Sequence, residues 1–177
     1  MSKDAYEKFI YFFKKHGLYD YNMFKYLSKN TLPYDFLEEE KRSSTGYHYI
    51  LNSRKRLEEI KLIVPFIEDE KTIVINIHEY IHAITLYQRL GKKYKQDIDS
   101  EILPMLYEKI YLSENPSKEL EYFLNSLDSS ITKDSPLQYQ IALKVQNELL
   151  EYYKNIHPSF YMLQAKAKTL TKKYKSR

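Results

Sequence analysis

Two of the five histidines in this 177-residue chain stand four apart, in His78-Glu79-Tyr80-Ile81-His82. Four residues on a helix advance about 400°, so both imidazoles point the same way. That spacing lets them grip one zinc ion, with a further ligand from elsewhere. The glutamate beside the first histidine can then reach an activated water and act as general base. The surroundings favour this chemistry. From Thr72 to Tyr87 there is no Lys, Arg or Asp; Glu79 is the sole acid, among Ile73, Val74, Ile75, Ile77, Ile81, Ile84 and Leu86. A helix apolar nearly all round is a buried helix. A buried carboxylate and two buried imidazoles cost several kcal/mol unless paired or metal-bound. The expectation is a Zn2+ site of one ion that activates water for peptide-bond hydrolysis. The plainer reading is a core helix with hydrogen-bonded histidines and a salt-bridged glutamate. A third reading is a non-catalytic regulatory or binding protein whose metal is structural or sensory.

A catalytic zinc usually takes three protein ligands and one water. A third histidine six residues after His82, preceded by glycine, would make a metzincin, but the chain has Gln88 and Thr85 there. The other arrangement, that of the gluzincins, takes a glutamate from the next helix. Glu101 fits, with Asp97, Asp99 and Glu108 as rivals. Glu101 and Glu108 share a helix face.

The segment Glu101-Ile-Leu-Pro-Met-Leu-Tyr-Glu108, following His78-Glu-Tyr-Ile-His82, resembles the paired motifs of gluzincin oligopeptidases of the thimet oligopeptidase and oligoendopeptidase F type. The resemblance covers about residues 72–112. It implies a zincin-like helical core, Glu101 as third ligand, and Glu108 steadying a ligand histidine. Apart from the resemblance, Asp97 is read as a further supporting carboxylate. Ile81 stands where that family has glycine, Pro104 lies one position further from the ligand, and the spacing between the motifs is shorter. The family also stabilises the oxyanion with Tyr and His residues of a late helix. Here Tyr153, His157 and Tyr161 stand four apart in turn and could aim a hydroxyl or imidazolium at the tetrahedral oxygen.

The elements that must position these groups can be read in order. Residues 4–16 make an amphipathic helix stopped by His16-Gly17, and 21–29 a second. Pro33 opens a third through Glu40, and Glu38-Glu-Glu-Lys-Arg42 is a solvated face. Residues 47–51 alternate weakly as a strand. Arg54-Lys-Arg56 is a surface basic cluster. Residues 60–67 are β-rich, and Pro65 confines them to an edge strand or a break; an edge strand before the metal helix could pair with an extended peptide. Thr72 serves as N-cap of the metal helix and Gly91 ends it. Helices then span about 99–111, from Asn115-Pro116 to 127, and 137–155, the last begun by Ser135-Pro136 and broken by His157-Pro158. A final helix carries Phe160, Tyr161 and Leu163. The expected fold is mainly α (α+β): one zincin-like domain over 1–177 with a small edge-strand β element.

Composition narrows the partners. With 43% hydrophobic and 29% charged residues the chain is globular, and only 3 Gly and 6 Pro oppose an all-β fold. The absence of cysteine excludes thiolate ligands and disulfides, leaving His, Asp and Glu for zinc. Net charge is +4, partly from the Lys-rich C-terminal tail, which suits a solvated helix end; nucleic-acid binding is not expected. The N-terminus lacks the apolar stretch of a signal peptide, and no run approaches a membrane span. A cytoplasmic protein acting on a peptide or protein substrate is the expectation.

Overall fold

A computed structural model of the chain describes residues 2–34, 46–94 and 101–175. Seven α-helices and three strands occur among them, a mainly helical α+β fold. No helix among these residues is long and apolar enough to cross a membrane. The backbone forms two compact units, Met1–Gln96 and Asp97–Arg177.

The first unit opens with α1 (Lys3–Lys15), whose buried stripe is Ala5, Phe9, Phe12 and Phe13. Ser2 caps its start, accepting from the Ala5 amide at 3.4 Å. Gly17, at φ +65°, closes its end so that the Leu18 N–H reaches the Phe13 carbonyl at 2.8 Å. Helix α2 (Tyr21–Lys29) is capped by Asp20, which accepts from the Met23 amide at 2.7 Å.

Strands β1 (Thr31–Tyr34), β2 (Gly46–Leu51) and β3 (Leu57–Pro65) form one sheet in the order β1-β3-β2. β1 runs parallel to β3 with Thr31 opposite Leu62. β2 runs antiparallel with Tyr47 opposite Leu62 and a register shift at Ile50/Leu51. Two expectations are corrected here. Pro33 lies in a strand, not at the start of a helix; β1 is an edge, where a residue without an N–H breaks no ladder. The remainder of that expected helix, with the acidic run Glu38-Glu-Glu, falls outside the described residues. The segment around Pro65 is the central strand of the sheet, not an edge. Pro65 is its last residue, so the ladder ends where the missing donor would first matter. Among the described residues, the edges are β1 and β2. The basic cluster Arg54-Lys-Arg56 is exposed in the turn between β2 and β3, where the Asn52 side chain accepts from the Arg54 and Arg56 amides, both at 3.0 Å.

Alternate residues of β3, namely Ile60, Leu62 and Val64, are buried. The 18-residue α3 (Glu70–Tyr87) packs on that sheet and buries twelve of its own residues. Its N-cap is Asp69, not Thr72. Asp69 accepts from the Thr72 amide at 2.8 Å, while the Thr72 hydroxyl accepts from the Asp69 and Glu68 amides at 2.9 Å. Thr72 thus takes the reciprocal place in a capping box, three residues inside the helix. The buried Asn76 amide donates to the Pro65 carbonyl at 3.0 Å, fixing the helix to the end of β3. α3 stops at Tyr87, and Gly91, at φ +73°, serves a later turn whose N–H bonds the Leu57 carbonyl at 2.8 Å.

The second unit comprises α4 (Ile102–Glu114), α5 (Lys118–Ser130), α6 (Leu137–Ile156) and α7 (Phe160–Lys175). Residues 101–108 are all buried. Lys109 donates to Asp128 at 2.6 Å and Gln146 to the same carboxylate at 3.3 Å, joining α4, α5 and α6. Ser117, rather than Asn115-Pro116, caps α5. Pro136 occupies the cap position of α6, and the Ser135 hydroxyl turns back to the Thr132 amide at 3.0 Å. His157 ends α6 at φ +47°, a left-handed residue ahead of Pro158.

Candidate metal centre

On α3 the two histidines converge. Their Nε2 atoms are 3.2 Å apart and their rings meet edge to face at 61°. His82 is buried, His78 half-buried, and Glu79 retains 8% exposure. Two nitrogens, each about 2.05 Å from one ion at a tetrahedral angle, would lie about 3.3 Å apart. The observed spacing matches that of two nitrogens on a shared ion and equally that of a hydrogen bond between the two rings.

The helix carries this pair on one side and anchors itself on the other. Tyr80 sits between the histidines in sequence and points elsewhere. Its ring meets Phe9 edge to face at 5.0 Å and lies 5.5 Å from Phe24, and its hydroxyl approaches the Thr31 hydroxyl at 3.5 Å. Burial pushes the Tyr80 phenol above its ordinary value, partly offset by hydrogen bonds from Thr31 and Ser28. This aromatic cluster fixes the rotation of α3 about its axis, and with it the direction of His78 and His82.

Sequence reading missed Tyr47. Its ring, on strand β2, lies 4.5 Å from that of His82 at an interplanar angle of 32°. The next residue on the same face of β2, Tyr49, is exposed, with its ring 4.4 Å from that of Tyr94. Nothing in the local pattern marks Tyr47, because the contact depends on the β2–β3 register.

Glu101 is buried, at the N-cap position of α4, with its backbone already helical and no side-chain capping bond. Glu108 is buried on the same helix. His78 and His82 belong to the first unit and Glu101 to the second. Asp97 and Asp99 fall outside the described residues.

The late aromatic residues are arranged differently. Tyr153 is half-buried and its ring stands 5.6 Å from that of His157, at 81°. Burial, then the nearby Glu114 charge, raises the Tyr153 phenol above its ordinary value. His157 is exposed, and Tyr161, on α7, is 68% exposed with its ring 6.4 Å from Phe160. His16 caps α1 and packs on Phe12 at 4.4 Å, a helix-end role as its position implies.

Comparison of the chain with protein-family models, curated proteins and solved structures gives no match.

Proposed function

We propose that this protein is a zinc-dependent peptidase of the gluzincin type, with His78, His82 and Glu101 as ligands and Glu79 as general base. The observation that carries the reading is the 3.2 Å approach of the His78 and His82 Nε2 atoms, with Glu79 buried between them in sequence. Zinc bound there would supply Lewis acidity, acidifying a water and polarising the scissile carbonyl. The remaining work falls to side chains. Glu79 takes the proton of the attacking water and hands it to the leaving amine. A donor among His157, Tyr153 and Tyr161 stabilises the negative oxygen of the tetrahedral state. Glu108 steadies a ligand imidazole, as the resemblance to the oligopeptidases implies.

The substrate is a peptide in extended form. β2 has one neighbouring strand among the described residues, β3, and it carries the tyrosine that packs on His82. A peptide laid along the open side of β2 would pair its backbone there and bring a carbonyl toward the histidines.

The test begins with elemental analysis of wild type and Glu101→Ala, purified without added metal. About one zinc per chain, reduced or lost in the variant, is expected. No zinc in wild type after supplementation would remove the metal site. A peptide-library digest by the zinc-loaded protein then separates catalysis from a structural or sensory metal. Zinc without any cleavage would leave the regulatory reading.

A further inference from the structure

Away from the histidines, the two N-terminal helices enclose a groove of about 390 Å³, lined by Tyr6, Ile10, Tyr19, Tyr21, Phe24, Lys25, Ser28 and Lys29. Its volume falls in the range of small-ligand sites. Three features distinguish it from an ordinary surface crease. Four of the eight lining residues are aromatic, so the walls offer π faces and phenol hydroxyls. Lys25 and Lys29 stand one turn apart on α2, and among the described residues neither is paired with a carboxylate. The Lys25 ammonium rests instead 5.8 Å from the centre of the Tyr21 ring. No acid lines the groove. The charge it presents is therefore uncompensated and positive, above an apolar floor of Ile10 and the buried Phe24.

We propose that this groove is a second ligand site, which takes a small anion carrying a planar ring. The ring stacks among Tyr6, Tyr19 and Tyr21, and the anionic group bridges Lys25 and Lys29. The floor is rigid: Phe24 packs on Phe13, Tyr19 and Tyr80 at ring distances of 5.2, 4.7 and 5.5 Å. Ser28 also reaches Tyr80 through its hydroxyl. A ligand here would rest on the side chains that hold the back of α3. The site does not depend on the zinc reading, since none of its lining residues is a metal ligand.

The test is calorimetric titration of the full-length protein with 1-naphthyl phosphate, using 1-naphthol and inorganic phosphate as half-probes. The phosphate ester is expected to bind at sub-millimolar concentration, with each half-probe at least about tenfold weaker, as loss of one charge-assisted contact requires. The double variant Lys25→Gln/Lys29→Gln should lose about tenfold or more in affinity. A control of equal charge, Lys168→Gln/Lys172→Gln on the exposed face of α7, should bind as wild type. All four substituted lysines lie outside the core, so unchanged circular dichroism is expected throughout. Absence of binding at millimolar ester, equal binding of 1-naphthol, or equal weakening by the α7 control would each overturn the proposal.

Discussion

Helix α3 and the end of α6 both carry histidine next to tyrosine, yet they are built in opposite ways. In α3 twelve residues are buried, His82 among them, and Tyr80 locks the helix from behind. Isoleucines such as Ile73, Ile77, Ile81 and Ile84 are at most 2% exposed, each contributing about 1.5–3 kcal/mol of apolar burial. At the end of α6, His157 is exposed, its ring edge to face with that of Tyr153, and its backbone takes a left-handed conformation that costs about 1–2 kcal/mol for a residue with a Cβ. The contrast teaches where pre-organisation resides. A side chain on α3 cannot move without disturbing a core, whereas His157 can reorient at little cost.

Substitutions can break or sharpen that contrast. The largest effect is expected from His78→Ala, which should abolish both zinc binding and peptide hydrolysis, read by elemental analysis and by digestion of a peptide library. Glu79→Gln should keep zinc and lower turnover by about 10²–10⁴. Full, chelator-sensitive activity in that variant would show that the base is another group. His157→Gly separates chemistry from backbone. Removing the Cβ should raise the melting temperature, because glycine adopts the left-handed region freely, and lower turnover about a hundredfold if the imidazole meets the oxyanion. A stabilised variant with undiminished turnover would take His157 out of the reaction.

A smaller effect is expected at Tyr47. Loss of the ring in Tyr47→Ala should weaken zinc binding by up to about tenfold, and Tyr47→Phe, which keeps the ring against His82, should restore the part carried by ring packing. Competition with a chelator of known affinity reads the difference.

The smallest effect concerns alkaline stability. Burial raises the phenols of Tyr80 and Tyr107 above 10.0 in the folded state. On unfolding, both return to the ordinary value, so above about pH 10 the unfolded chain releases protons that the folded chain retains. The stability attached to these groups is complete below pH 10 and declines as pH rises beyond it. Urea midpoints measured between pH 8 and 11 should fall, and less steeply in Tyr80→Phe. Equal slopes would mean that other groups govern the decline.

Much of this organisation is legible in residue order, for identifiable reasons. The helix bounded by Asp20 and Asn30 is read correctly because its cap and apolar spacing are local. The buried character of α3 follows from sixteen residues, Thr72 to Tyr87, whose sole acid is Glu79 and which hold no Lys or Arg. What sequence misplaces is non-local. Residues 60–67 read as an edge strand or a break because of Pro65, yet the strand found there, Leu57–Pro65, is central because β1 arrives from one side and β2 from the other. Thr72 resembles an N-cap, but Asp69, three residues earlier, accepts from the Thr72 amide and starts the helix there. The Tyr47–His82 contact needs a strand register that no short pattern encodes. At the candidate metal centre the histidine pair is readable from spacing alone, since one helix turn sets it, whereas a proposed third ligand from another helix depends on how the intervening chain returns.

The sheet has a further consequence, in the order of events during folding. β2 and β3 form a hairpin across a tight turn, with Leu51 opposite Leu57, and can pair while the rest of the chain is still open. β1 pairs parallel to β3, Thr31 with Leu62, and must close a long loop around that hairpin before gaining any contact. The strand bearing Tyr47 therefore has its partner early, and the strand beside α2 joins late. Weakening β1, as by Leu32→Gly, should leave the folding nucleus nearly intact and speed unfolding instead.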